Sequence, residues 1–296
     1  MKKYIILTDS CSDLDKELRE EYDIEYIPMS MTFDDKTYIA DLDWKEIKAK
    51  DYYQIMRDGT RVITSQVMKQ DYLAKFEQYI KDDYDILSIS CSSALSSSVK
   101  ASYIARDELL AKYPKSKIIC IDSLISCAGL GLLCILASNL RKSGKSIEEV
   151  AQFVEENKLK INQVATVNDL KFLKQSGRIT ASAALFGTLF NVKPIIISDT
   201  KGQNVSVEKT KGRKKSLVRL AELTKENYTG EYLPDIFIGQ ADCEEDAEEL
   251  KNLIAEKIPN VNIHIGNIGP IVGASVGPEM IGVYFVGKEV TYLAEK

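Results

Sequence analysis

One histidine, His264, is all that the 296 residues hold. That scarcity excludes an HExxH metal site and any zinc site with two histidines, and it leaves a Ser–His–Asp triad without a ready base. The six cysteines, Cys11, Cys91, Cys120, Cys127, Cys134 and Cys243, include no CxxC pair. Free and mostly buried thiols in a reducing compartment are therefore expected. Positive charge is not in surplus: 39 Lys and Arg face 44 Asp and Glu, a net charge of −5 that argues against a general nucleic-acid binder. No apolar run reaches the roughly 20 residues of a membrane span. The most apolar stretch, 124–140, includes Ser126, Ser138 and Asn139 and reads as a buried helix, so no stable membrane insertion is expected. Met1-Lys2-Lys3 leads straight into Tyr4-Ile5-Ile6-Leu7, which reads as a strand and not as a secretory leader, so the expected compartment is the cytoplasm. There is no P-loop, no metal-ligand spacing and no internal repeat.

What is present is the mix of an ordinary globular protein, 45% hydrophobic and 28% charged, long enough for two domains. Residues 1–160 alternate strand and helix. A strand at 4–7 precedes a helix over 14–22, with Ser12 or Asp13 as N-cap and Glu17 near the capping-box position. A hairpin over 24–39 and a helix over 44–56 follow. An extended piece at 61–66 leads to a helix over 68–81. Strand 86–90, helix 98–112, strand 117–121 and helix 126–142 then complete an alternation that predicts a parallel sheet. The texture changes after Gly144, where a helix over 146–159 precedes the second part. Residues 161–296 mix a strand at 161–167 and a short helix closed by Gly177 with an antiparallel pair turning at Lys201-Gly202. The remaining elements are helices at 214–227 and 244–257 and strands at 235–239, 261–265 and 281–286. The small, apolar residues 181–190 read as a buried helix or a pocket wall. The expected fold class is α/β, with an N-terminal parallel-sheet βα domain (1–160) and a C-terminal α+β domain (161–296).

Ligands of parallel α/β sheets sit beyond the carboxyl ends of the strands. Hydroxyl-bearing segments fall at three such places: Thr8-Asp9-Ser10-Cys11-Ser12-Asp13, Thr64-Ser65-Gln66, and Ser90-Cys91-Ser92-Ser93-Ala94-Leu95-Ser96-Ser97. The serine loop joins a strand to a helix amino end, whose free N–H groups and dipole favour an anion. Each serine read alone is equally a helix cap or loop hydrogen-bonder. Convergence of the three segments on one crevice is the reading that makes them a site.

These segments resemble the motifs of the DegV family of bacterial fatty-acid-binding proteins, in order and over nearly the whole chain. Thr8-Asp9-Ser10 with Ser12-Asp13 resembles the family's TDSxSD, Thr64-Ser65-Gln66 its TSQP, and Ser92-Ser93-Ala94-Leu95-Ser96 its SSxLSGT loop. Asp122-Ser123 with Gly129-Leu130-Gly131 resembles DSxxxSxGxG. The run Leu170-Lys171-Phe172-Leu173-Lys174-Gln175-Ser176-Gly177-Arg178-Ile179 resembles LxxLxxGGRI, and Lys193-Pro194 follows at the expected place. The resemblance implies a carrier and not a catalyst. It would bury one long-chain fatty acid near a domain junction, hold its carboxylate with hydroxyls, and present it to a separate fatty acid kinase, with no cofactor. Carried over by motif, Thr64 and Ser93 contact the carboxylate with Ser92 and Ser96 beside them. Asp9, Ser10, Arg178 and Arg213 attend the head group or a docking partner.

The chain departs from the family at its end. Gly273-Ala274-Ser275-Val276-Gly277-Pro278-Glu279 resembles GxHxGPG, but Ser275 stands where the family has histidine and Glu279 where it has glycine. Ser275 is expected at the ligand in the histidine's place; it donates a hydrogen bond but cannot carry a positive charge, and a charge-assisted bond is roughly twice as strong as a neutral one. Two rival readings stay open on the residues: an enzyme handling an acyl or phosphoryl group with Ser93, Asp9 or Asp122, and a family member that binds another lipid or none. The run 209–215 reads as a solvated basic face or as a docking patch.

Overall fold

The computed structural model describes residues 2–180 and 191–294; the stretch 181–190, read as a buried helix or wall, lies outside them. β1 (Tyr4–Asp9) is buried at every position, as a strand inside a parallel sheet covered on both faces must be. It pairs in parallel with β2 (Ile24–Ile27) on one side and β6 (Asp85–Ser90) on the other, and β7 (Ile118–Asp122) follows β6. The order β2-β1-β6-β7 reverses direction at β1, so a crevice opens beyond the carboxyl ends of β1 and β6.

Between β2 and β6 the chain makes a separate antiparallel excursion. β3 (Met29–Phe33) is central, with β4 (Lys36–Ala40) and β5 (Ile63–Ser65) on its flanks. Met29, Met31 and Phe33 alternate inward, the period-2 pattern of a half-buried strand. Thr64 pairs with Met31 here and not within the parallel sheet. The three hydroxyl segments are thus not at equivalent ends of one sheet.

The second sheet is mixed, in the order β10-β9-β8-β13-β11-β12. Its members are β8 (Ile161–Thr166), β9 (Val192–Ser198), β10 (Asn204–Lys211), β11 (Ile236–Gln240), β12 (Ile263–Asn267) and β13 (Ile281–Val286), with only the β11–β12 pair parallel. Helices α8 (Arg213–Asn227) and α9 (Glu244–Lys257) cover one face around Leu217, Leu220, Leu250 and Ile254.

One helix joins the two sheets. α5 (Cys127–Lys142) is buried from Cys127 through Ser138, and a helix apolar all round belongs inside a core. It packs on β1 and also on β8, β11 and β13, so one continuous cluster includes Leu7, Leu133, Ala165 and Tyr284. Gly131 makes the approach possible, since a Cβ there would meet the Ser12 carbonyl oxygen at 2.8 Å.

Two expected boundaries move. α1 (Lys16–Tyr22) is capped by Asp15, whose side chain accepts from the Leu18 N–H at 2.8 Å. Ser12 instead lies in a 3₁₀ turn, Ser10–Ser12, and Asp13 follows it with φ 50°. α2 (Ala49–Arg57) begins five residues after Trp44, whose φ of 53° is not helical.

Because the core is shared, Leu133→Ala, which empties a fully buried position of α5, should cost about 2–5 kcal/mol. Both halves should unfold together in a single denaturant transition at a lower midpoint. Two separated transitions by tryptophan fluorescence and far-UV circular dichroism would contradict the shared core.

Candidate ligand-binding site

Beyond β1 and β6 lies a cavity of about 400 Å³. Its wall draws on Cys11 after β1, Thr64, Ser65 and Gln66 at β5, and the serine loop after β6. Leu173 and Arg178 come from α7 (Leu170–Ser176) and the segment after it; Ile271, Val272, Ser275 and Val276 come from α10 (Pro270–Val276). Met29, Leu95 and Leu173 give it apolar surface beside the hydroxyls. Volume and lining are those of a small-molecule site.

Local bonds hold these segments in place. Asp9, fully buried, accepts from the Cys11 N–H at 3.0 Å through one oxygen and from the Cys91 N–H at 2.9 Å through the other. The Val67 N–H donates to Ser98 Oγ at 3.1 Å, and Ser98 Oγ lies 2.9 Å from Ser96 Oγ. This short chain ties the Thr64 segment to the serine loop. Ser92 Oγ donates to the Gly202 carbonyl at 2.9 Å, docking the loop on the β9–β10 turn. Gly202 has φ 72°, and a Cβ there would meet Ser92 Oγ at 2.2 Å, so only glycine fits. On the opposite wall, the hydroxyls of Tyr52 and Tyr53 donate to the carbonyls of Pro270 at 2.7 Å and Ile268 at 2.6 Å, holding the start of α10. Ser176 Oγ donates to the Ser275 carbonyl at 3.2 Å, fixing the other end against α7.

The expected site residues divide into two groups. Thr64, Ser93, Ser96, Ser275 and Arg178 all line the cavity. Ser92, Asp9 and Ser10 do not, because their polar atoms are engaged in holding the loops; Ser10 Oγ donates to the Ala40 carbonyl and accepts from the Met29 N–H, both at 2.9 Å. Arg213 is elsewhere, at the start of α8, with its Nε on Asp246 at 2.8 Å. Asp122, a candidate base in the enzyme reading, accepts the Ser93 and Leu124 N–H groups, both at 3.1 Å. The serine loop also differs from a helix-end anion seat. Residues 91–97 separate β6 from α4 (Ser98–Lys112), and the Ser98 N–H is taken by Ser96 Oγ at 3.3 Å.

Among the hydroxyls that line the cavity, those of Thr64, Ser65, Ser93, Ser97, Ser126 and Ser275 make no hydrogen bond within the described residues, whereas that of Ser96 is held by Ser98. Free hydroxyls on a cavity wall are donors available to an acceptor group of a ligand. Arg178 is the cation on the wall; it is exposed, and its guanidinium turns back to the Ser176 carbonyl. A recess of about 280 Å³ shares Thr64, Ser275 and Arg178 with the cavity and adds Arg61 and Lys171. Residues on α10 and the cations Arg61 and Lys171 were not singled out from the sequence, save Ser275. His264 lies apart on β12, stacked on Phe237 and 3.2 Å from Asp235. Among the described residues no three His, Cys, Asp or Glu side chains are grouped to hold a metal ion, and no helix is long and apolar enough to cross a membrane.

A model of the DegV family, described as an uncharacterised protein family, matches residues 3–288. A DegV domain-containing protein of Clostridium perfringens is 40% identical over 287 residues, covering 97% of this chain and 98% of its own. The crystal structure of DegV from Bacillus subtilis, described as a fatty acid binding protein, superposes with a TM-score of 0.82 at 27% identity, covering 97% of this chain and 100% of its own. A DegV family protein from Thermus thermophilus, described by its fatty acid binding, has a TM-score of 0.84 at 24% identity, with 96% and 99% covered. At that identity the last match speaks to the fold.

Two buried carboxyls, at the end of β1 and in the turn after it, give a pH signature. Burial pushes Asp13 up to about 7 and Asp9 up to about 6, against an ordinary value of 3.8. The folded protein therefore holds more protons than the unfolded chain between about pH 4 and 7, and stability falls as pH rises through that window. Glu77 and Glu149, lowered to about 2 by lysine and other hydrogen-bonding partners, act in the opposite sense, but only below about pH 4.5. Urea midpoints should decline from pH 5 to pH 8, and Asp13→Asn should flatten the decline. An unchanged slope in that variant would remove Asp13 as its source.

Proposed function

This chain belongs to the DegV family, and on that premise we propose that it carries a long-chain fatty acid and offers the carboxylate to a separate fatty acid kinase. The observation that supports this most is the presence of unpartnered hydroxyls, those of Thr64, Ser93 and Ser275 among them, on a cavity whose wall mixes polar and apolar side chains. Hydroxyl donors suit a carboxylate, which only accepts hydrogen bonds. The tail lies along Met29, Leu95, Leu173, Ile271 and Val276 and supplies most of the affinity, at roughly 0.8 kcal/mol for each buried CH₂. Fatty acid binding described for the Bacillus subtilis relative points the same way.

The adjoining recess supports presentation of the head group. A carboxylate held at Thr64 and Ser275 borders the opening that Arg61, Lys171 and Arg178 surround. Arg61 has no ion-pair partner among the described residues, and Lys171 lies 3.3 Å from Asp169. Positive charge there favours the approach of a phosphoryl donor and attends the charge of the transferred group. The carrier itself needs no base, and Asp9 and Asp122 are already engaged with backbone N–H groups.

Native mass spectrometry of the purified protein, followed by solvent extraction, should release a fatty acid. Absence of a fatty acid, together with failure to take up added oleate, would overturn the reading. Ser93→Ala and Thr64→Ala should each weaken oleate binding roughly 10- to 100-fold, the worth of one hydrogen bond to a charged group. They should leave the binding of oleyl alcohol less affected. Ser275→His should strengthen oleate binding at pH 6 more than at pH 8, because only a protonated imidazole sets a positive charge against the carboxylate. Equal effects at the two pH values would place residue 275 away from the carboxylate.

A further inference from the structure

Cys11 and Cys91 both line the cavity wall. Each lies just past the carboxyl end of its strand, and those strands, β1 and β6, are neighbours paired in parallel through Leu7 and Ser88. Neighbouring strands run about 4.8 Å apart. One carboxylate, Asp9, grips the N–H of both cysteines. Two residues held by one carboxylate are close neighbours in space, the first condition for a disulfide. Both side chains are buried from bulk solvent and both line the ligand cavity. Cys11 Sγ also contacts Met29 Sδ at 3.8 Å, and the interaction between the two thiols pushes Cys11 well above its ordinary value. Other thiols are differently held: Cys120 donates to the Ser102 carbonyl at 3.7 Å and Cys127 to Asp13 at 2.8 Å.

We propose that Cys11 and Cys91 are a modification site, forming a reversible disulfide when a peroxide reaches the cavity. One thiol is oxidised by the peroxide to a sulfenic acid with loss of one water. The second sulfur then displaces the sulfenic hydroxyl as a second water. Two thiols and one hydrogen peroxide thus give one disulfide and two waters, with two electrons passing to the peroxide oxygens. The route to these sulfurs runs through the ligand cavity, so an acyl tail in place shields them; this part rests on the fatty-acid reading. The S–S bond of about 2.05 Å draws the two loops together, two residues from Ser93, and changes the wall that a tail would touch.

The test treats reduced, delipidated protein with hydrogen peroxide, blocks remaining thiols under denaturing conditions, and maps peptides by mass spectrometry. A Cys11–Cys91 link, two hydrogens lighter, reversed by dithiothreitol and abolished by Cys11→Ser or Cys91→Ser but kept in Cys120→Ser, is expected. Sulfinic acid on one cysteine without a link, links to other cysteines, or two fully alkylated thiols would overturn the proposal. Far-UV circular dichroism of the serine variants checks that a lost link is not lost folding. Preloading with oleate should slow linking at least fivefold. A link that forms equally fast with bound oleate would keep the disulfide and remove the tail from these sulfurs.

Discussion

The carboxylate of Asp9 is the interaction on which the site depends. It is fully buried, and burial raises the free energy of its charged form, as the upward shift to about 6 records. Two backbone N–H groups offset that cost, and they belong to chain segments 80 residues apart. Strand ends in a parallel sheet leave their last N–H groups without ladder partners, and a single acceptor at the switch point satisfies both. The loop after β1 and the loop after β6 are thereby set at a fixed spacing. Everything that faces the cavity from those loops, Cys11 on one and Cys91 through Ser97 on the other, inherits its position from that bond.

The rest of the wall is brought in by equally local devices acting between distant segments. Ser92 joins the serine loop to the β9–β10 turn, Ser96 and Ser98 join it to the β5 segment, and Tyr52 and Tyr53 hold α10 from α2. Most of these side chains are buried and hydrogen-bonded, so their contribution is geometric. They leave Thr64, Ser93 and Ser275 free to donate elsewhere. A site assembled from both sheets needs the sheets to stay in register, and α5 supplies that through a core continuous from Leu7 to Tyr284.

Much of this was legible in the sequence, for identifiable reasons. α4 and α9 match their expected spans at 98–112 and 244–257 because long periodic stretches with clear ends leave little choice. The β9–β10 pair was signalled by Lys201-Gly202, where φ at Gly202 is positive. α10 was not legible: Pro270-Ile271-Val272-Gly273-Ala274-Ser275-Val276 is short, small-residued and without an apolar stripe, and its helix is held by tyrosines far away in sequence. The serine loop marked the right place but could not rank its members. Ser92 and Ser93 are adjacent and chemically identical, yet one faces the β9–β10 turn and the other the cavity. The side a loop residue takes is decided by a tertiary partner, here Gly202. Asp9 shows the same limit, since a buried bridging carboxylate and a ligand-facing one have the same sequence.

Ser275 bears on what kind of recognition such a site performs. Three neutral hydroxyls give a carboxylate directional hydrogen bonds without the long-range attraction of a fixed cation. Because each buried CH₂ adds roughly 0.8 kcal/mol, about two to four methylenes match one hydrogen bond to a carboxylate. In the proposed complex the tail would therefore govern affinity, while the hydroxyls would govern which end of the ligand stops at Thr64 and Ser275. The cations stand one step further out, around the recess, with Arg178 belonging to both spaces. This separation would suit the proposed carrier: an uncharged clamp would register the carboxylate, and the positive charge is kept where additional negative charge would arrive. A cation inside the clamp would hold the carboxylate more tightly and, by stabilising its charge, make its oxygen a poorer nucleophile toward a phosphoryl donor.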